Sequence, residues 1–159
     1  MSSIFHHVLR AHQRIYVSTN GLLGHRLLFG NPTLLLHTTG RRTGLPRTTA
    51  LTYARDGDAY LIVASNGGAP TPPAWLANLR ASPGCDIQIG RRRHAVTARP
   101  TLPGDPDYAR RWSIVNTVNK GRYTAYQEKT GRPIAIVELR PASLLVFTCA
   151  NGSVSAHYG

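Results

Sequence analysis

Three short segments gather residue types that bind anions or polarise a carbonyl. The first is Thr38-Thr39-Gly40-Arg41-Arg42-Thr43-Gly44-Leu45-Pro46-Arg47. Two glycines bracket two arginines, and a third arginine opens the next segment. Glycine lets the backbone turn tightly and approach a ligand closely. Exposed N–H groups and threonine hydroxyls then receive phosphate or carboxylate oxygens, and each guanidinium offers a planar fork to the same groups. A solvated basic hairpin is the plain alternative. The spacing G-x-x-x-x-G-K-[ST] and its lysine are absent, which excludes a phosphate loop of the triphosphate-hydrolysing kind.

The second segment, Ala64-Ser65-Asn66-Gly67-Gly68-Ala69-Pro70, leaves an apolar run through two glycines and feeds Pro73-Ala74-Trp75-Leu76-Ala77-Asn78-Leu79. A glycine-rich loop entering a helix is a natural site for an anion or a ring carbonyl. An ordinary loop is the bland reading, and for Trp75 a place in the core. The third segment, Tyr123-Thr124-Ala125-Tyr126-Gln127, sets two tyrosines three apart, on one helix face. Each brings an apolar ring and a hydroxyl that can donate to a substrate oxygen. Simple packing with the phenol at the surface is the other account.

The elements that would position these segments are mostly strands. Runs at Thr33–Thr39, Thr48–Ala54, Ala59–Ser65, Cys85–Ile89, His94–Arg99 and Ile134–Leu139 read as six strands. Asp56-Gly57 and Gly90-Arg91 mark hairpins. Helices are expected over residues 2–17, 73–81, 106–119 and 122–129. Few helices and hairpin connections predict a mainly β, α+β domain, a six-stranded antiparallel split β-barrel. Residues 1–30 form an N-terminal amphipathic helix and connector, 31–140 the barrel, and 141–159 a tail in which Leu144–Thr148 can add a strand. The apolar stripe Ile4, Phe5, Val8, Leu9, Ile15 and Tyr16 fits a helix on the barrel and also one lying on a membrane surface.

Bulk properties narrow the chemistry. The 159 residues carry 19 Lys plus Arg against 7 Asp plus Glu, a net charge of +12, so an anionic partner is expected. Seventeen of the basic residues are arginine. Cys85 and Cys149 form no C-x-x-C pair, and the histidines form no ligand motif, so no metal is implied. A reducing cytoplasm suits two lone cysteines. No secretory pattern is visible, and no apolar run approaches the ~20 residues of a bilayer span.

In order, T-T-G-R-R-T-G-L-P-R-T-T, Y-A-R-D-G-D, A-S-N-G-G-A-P, P-A-W-L-A-N-L-R-A-S-P and Y-T-A-Y-Q…R-P-I closely resemble the deazaflavin-dependent nitroreductase family, actinobacterial split β-barrel reductases that use coenzyme F420. The resemblance spans residues 30–140. It implies that Arg41, Arg42, Thr43, Gly44 and Arg47 hold the coenzyme's anionic tail. Thr48, Thr49 and Ala50 would line the strand beneath its ring. Ala64, Ser65, Asn66, Gly67, Gly68 and Ala69 would meet the ring and its linker, with Trp75, Asn78 and Leu79 completing the site. Tyr123 and Tyr126 match tyrosines over the acceptor pocket, as catalytic candidates. The implied reaction passes hydride from noncovalently bound reduced F420 to a quinone, nitro compound or activated enone. Asn66 departs from the family, where lysine is frequent, and the tail beyond Pro141 runs longer than its pattern.

Two other readings remain at this point. Split barrels also host FMN, which has a phosphate but would leave much of the arginine groove unexplained. A non-catalytic anion- or nucleic-acid-binding module would use the charge, but no helix-turn-helix or RNP motif accompanies it, so nucleic acid is not expected. The expected setting is the cytoplasm, with contact at the inner face of the membrane if the N-terminal helix binds there, as a monomer or homodimer.

Overall fold

The computed structural model describes residues 30–142. The helix expected over residues 2–17, the strand Leu144–Thr148 and Cys149 lie outside them. Seven strands form one antiparallel sheet: β1 (Thr33–Thr39), β2 (Pro46–Thr52), β3 (Ala54–Asp56), β4 (Ala59–Val63), β5 (Gly84–Ile89), β6 (Arg92–Thr101) and β7 (Ile136–Pro141). Three helices accompany it: α1 (Ala74–Ala81), α2 (Tyr108–Val118) and α3 (Arg122–Glu128).

The strand order is β2-β1-β5-β6-β7-β4-β3. The two edge strands are therefore consecutive in the chain, and the sheet must curl to bring them together. Thr52 still faces Thr33 on β1, and the Tyr53 N–H donates to the Pro32 carbonyl at 3.1 Å. Ala54 then faces Leu61 on β4. The chain thus crosses from one sheet edge to the other at Tyr53. The expected strand Thr48–Ala54 is in fact the end of one strand and the start of another, which raises the count from six to seven. Alternation along the sequence reports which face a residue takes, not which neighbour its strand pairs with.

Above Tyr53, β2 and the end of β4 pass side by side without a hydrogen-bonded ladder. This is the split in the barrel. One face of the sheet turns Leu34, Leu36, Ile62, Ile87, Val137 and Leu139 inward. Helix α1 lies across the upper end, where the 40–45 turn and residues 64–69 also sit, and drives Trp75, Leu76 and Leu79 into this core. Each such side chain contributes about 1.5–3 kcal/mol by leaving water, so α1 is held as part of the barrel. The opposite face carries Leu61, Val63 and Ile136, covered by Val115 of α2 and Tyr123 of α3.

A charged network fastens α2. The buried Arg111 guanidinium meets Asp56 Oδ2 at 3.1 Å and Glu138 Oε2 at 3.1 Å. Arg110 adds two bonds to the Asp56 carboxylate, at 2.6 and 2.9 Å. These contacts hold Asp56 below the usual carboxylate range, chiefly through Arg110.

Candidate functional site

The β1–β2 turn presents its arginines as a ridge. Residues 41–47 are exposed, while the turn is closed from within by Gly40 N–H to Leu45 O and Gly44 N–H to Gly40 O, each 2.8 Å. A Cβ at Gly40 would meet Thr43 Oγ1 at 2.6 Å and Leu45 O at 3.3 Å, so a side chain there would crowd the turn. Among the described residues, the ion pairs engage Arg93, Arg110, Arg111 and Arg140, and none involves Arg41, Arg42 or Arg47. Arg41, Arg42 and Arg47 are therefore exposed on one short stretch of chain, with no carboxylate partner among the described residues. Such a donor set fits a long polyanion.

Asn78 ties this ridge to α1. Its Oδ1 accepts from the Arg41 N–H at 3.0 Å, and its amide nitrogen donates to Thr38 Oγ1 at 3.4 Å. Asn78 is buried, so both of these bonds brace the turn. Trp75 and Leu79 are likewise buried, Leu79 completely. These three residues support the upper rim from below.

The three β2 residues alternate, as a strand must. Thr49 stands opposite the core residue Leu36 and shares its inward face, beside the split. Thr48 and Ala50 face the other way, opposite His37 and Leu35. Thr48 Oγ1 lies 3.0 Å from His37 Nδ1. Burial, and then the nearby Arg93, push the His37 pKa down. A polar groove of about 600 Å³, lined among others by His37, Arg47, Thr48, Asp86 and Arg93, extends from the arginine ridge over this face.

The second loop leaves β4 on the far side of the split. Ala64 and Ser65 are buried, whereas Asn66 and Gly67 are exposed. Asn66, Gly67 and Gly68 all have positive φ, at 47°, 64° and 80°. The Asn66 amide nitrogen braces the loop, donating to Thr71 O at 2.9 Å. The Gly68 and Ala69 N–H groups close the turn onto Ser65 O and Asn66 O. The N–H groups of Asn66 and Gly67 donate to no acceptor among the described residues, which leaves two adjacent donors at the surface of the turn.

Gly68 decides where this loop sits. A Cβ there would lie 2.7 Å from Tyr126 O and 3.0 Å from Lys129 Cβ. Only glycine permits this approach, so the loop and α3 form one surface. On that surface Tyr126 is half-exposed. Tyr123 is buried beneath it with ring centroids 6.3 Å apart, and burial pushes its phenol pKa well up. The aromatic series continues through Trp112, at 6.4 Å from Tyr123, to Tyr108, stacked on Trp112 at 5.8 Å. A mostly apolar cavity of about 660 Å³ opens there between α2 and α3, lined by residues including Tyr108, Trp112 and Gln127.

Two further contributors, Gln127 and Arg132, lie within the Y-T-A-Y-Q…R-P-I segment, whose pattern assigns them no role. Arg132 donates to Ala69 O at 3.0 Å, Ala64 O at 3.3 Å and Ser65 O at 2.8 Å. Gln127 holds the Arg132 segment in turn, donating to Arg132 O at 2.9 Å and accepting from the Ile134 N–H at 3.1 Å. The partners of Arg132 lie more than sixty residues away, and no local pattern announces such a pair. Among the described residues, no cluster of metal-binding side chains occurs, and no helix is long and apolar enough to cross a membrane.

Residues 8–141 match the family model described as F420H(2)-dependent quinone reductase. A curated relative of that name from Mycobacterium tuberculosis is 59% identical over 132 residues, which cover 83% of this chain and 89% of the relative. A solved structure described as a domain-swapped dimer superposes with a TM-score of 0.65 at 28% identity, covering 84% of this chain and 96% of the other. A second, an F420-H2 dependent reductase (FDR-A), aligns with a TM-score of 0.58 at 32% identity, covering 67% and 93%.

Proposed function

Since the chain belongs to the F420H(2)-dependent quinone reductase family, we propose that it holds coenzyme F420 across the upper rim of the barrel and catalyses hydride transfer from the reduced form to a quinone. The observation that carries the reading onto this chain is the arginine ridge. Its three guanidinium groups have no carboxylate partner among the described residues, and α1 links the ridge to a loop with two unused N–H donors.

The coenzyme supplies the hydride, the part of the chemistry no side chain here can perform. The protein's own residues bind and orient. Arg41, Arg42 and Arg47, with Thr43 and the Gly44 backbone, grip the phosphate and glutamate tail. Thr49, on the inward face beside the split, would line the place of the ring. The N–H groups of Asn66 and Gly67 receive an electron-rich oxygen, and Ser65, Gly68 and Ala69 give their loop its shape. Asn78, Trp75 and Leu79 hold the rim in place. Tyr126 Oη, half-exposed on the surface shared with that loop, donates to the acceptor oxygen and stabilises the charge that develops there. Tyr123 supports Tyr126 from beneath, because its burial keeps the phenol neutral and away from solvent.

Quinone is the acceptor class; a nitro compound or activated enone would meet the same donor. The protein acts in the cytoplasm, and the N-terminal segment, which lies outside the described residues, would bring it to the membrane surface. FMN is disfavoured because its single phosphate leaves most of the ridge without a partner. Titration of the purified protein with F420 and with FMN tests the choice. Saturable F420 binding, followed by quinone-dependent oxidation of the reduced coenzyme, is expected. Tight FMN binding with no F420 binding would overturn it.

A further inference from the structure

The buried side of the 64–69 loop is organised by one residue. The Arg132 guanidinium spends all three nitrogens on Ala64 O, Ser65 O and Ala69 O. Turning these carbonyls inward leaves the opposite surface of the loop to N–H groups, and the donors of the exposed Asn66 and Gly67 are unused among the described residues. No carboxylate pairs with Arg132 among the described residues, and burial pulls its pKa down. A cation bonded to three carbonyls and to no carboxylate keeps its positive field, and an anionic or electron-rich oxygen beyond the loop completes it. Gln127 fixes the backbone from which Arg132 reaches, and it neighbours Tyr126 on α3.

We propose that Arg132 is a positioning residue for hydride transfer, fixing the 64–69 loop so that the Asn66 and Gly67 N–H groups meet the bound deazaflavin. This rests on the reading that the rim binds F420. Arg132 need not touch the coenzyme; it sets the loop that does. A lysine keeps the charge but replaces a rigid three-point fork with a single ammonium, so charge and geometry can be separated by substitution.

The test compares wild type, Arg132→Lys and Arg132→Ala. Each is first checked for folding by circular dichroism and thermal unfolding, then titrated with oxidised F420 by fluorescence. Arg132→Ala is expected to remain folded and to raise the coenzyme Kd by about tenfold or more, as loss of charge-assisted bonds at a ligand loop does. Arg132→Lys is expected to recover little of this. Guanidinium chloride at millimolar concentration, against sodium chloride as control, should restore binding to Arg132→Ala and leave wild type unchanged. At saturating coenzyme kcat should also fall, because a bound but misaligned ring reacts slowly.

A folded Arg132→Ala protein with Kd within twofold of wild type would overturn the proposal, and so would a loss that guanidinium does not reverse. If Arg132→Ala does not fold, Arg132→Lys decides: wild-type Kd and kcat in that variant refute a need for the fork. Wild type that binds no F420 would instead refute the reading of the rim itself, and this proposal with it.

Discussion

Replacing Arg41 and Arg47 together with alanine removes two of the three cations of the ridge. Both are exposed, and neither forms an ion pair among the described residues, so the perturbation falls on the ligand and not on the fold. Two unit charges about 4 Å apart attract by about 1 kcal/mol in water and about 4 kcal/mol at an effective dielectric of 20. Their exposure places these arginines near the lower value, at about 1–1.5 kcal/mol each. The double variant should therefore bind F420 about thirtyfold to 150-fold more weakly in low salt. Screening supplies a second signature. The Debye length shrinks from about 8 Å at physiological ionic strength to about 3 Å at 1 M, so the gap between variant and wild type should narrow steadily with salt. Fluorescence titration across a salt series measures both effects, and the thermal midpoint should not move. Equal affinity at low salt would refute the assignment. A gap that persists undiminished at 1 M salt would show that the hairpin had changed shape and that charge was not the cause.

Three further outcomes follow from other parts of the molecule. Tyr126→Phe should lower kcat for quinone by about a hundredfold while leaving coenzyme Kd within about twofold; a larger effect on Kd than on kcat in stopped-flow and titration data would remove the donor role. Gly68→Ala places a methyl 2.7 Å from Tyr126 O at a positive φ. It should lower both stability and coenzyme affinity, whereas Gly67→Ala, with nothing within 4 Å, should cost only the backbone strain of about 1 kcal/mol; equal thermal midpoints for the two variants would contradict this. Asp56 is held below its usual pKa by Arg110 and Arg111, so its contribution is full above about pH 4 and lost as the pH falls further. Asp56→Asn should therefore be less stable than wild type in urea at pH 7, with the difference shrinking at pH 3, and a constant difference would exclude Asp56 as the titrating group.

Which parts of this were legible in the sequence depends on how far apart the cooperating residues lie. The arginine ridge, the glycine turn and the tyrosine pair are each local, because a tight turn, a donor pair or a helix face is made by adjacent residues. The barrel class was readable too, since hairpin connections at Asp56-Gly57 and between Ile89 and Arg92 force antiparallel neighbours. The break at Tyr53 was not readable. Thr48 to Ala54 alternates smoothly, and only the closing of the barrel makes its last residue pair with β4 and not with β1. Asn78 and Trp75 show the same limit at the site. Their types suit a ligand, and no local pattern shows that the amide also braces Arg41 N–H and Thr38 or that the indole is buried where α1 fits into the barrel mouth.

The braces are thus long-range where the ligand-facing groups are local, and the two must be coupled for the site to work. Gly68 shows how this is done. Its missing side chain lets the loop that carries the Asn66 and Gly67 donors rest directly on the backbone of Tyr126, while Gln127, the next residue on α3, holds the strap from which Arg132 grips the same loop. A displacement of α3 would therefore shift the proposed acceptor donor and the proposed coenzyme donors together. Hydride transfer depends on the separation of two bound partners, and a single rigid piece carrying the donors for both keeps that separation constant without either ligand touching Arg132.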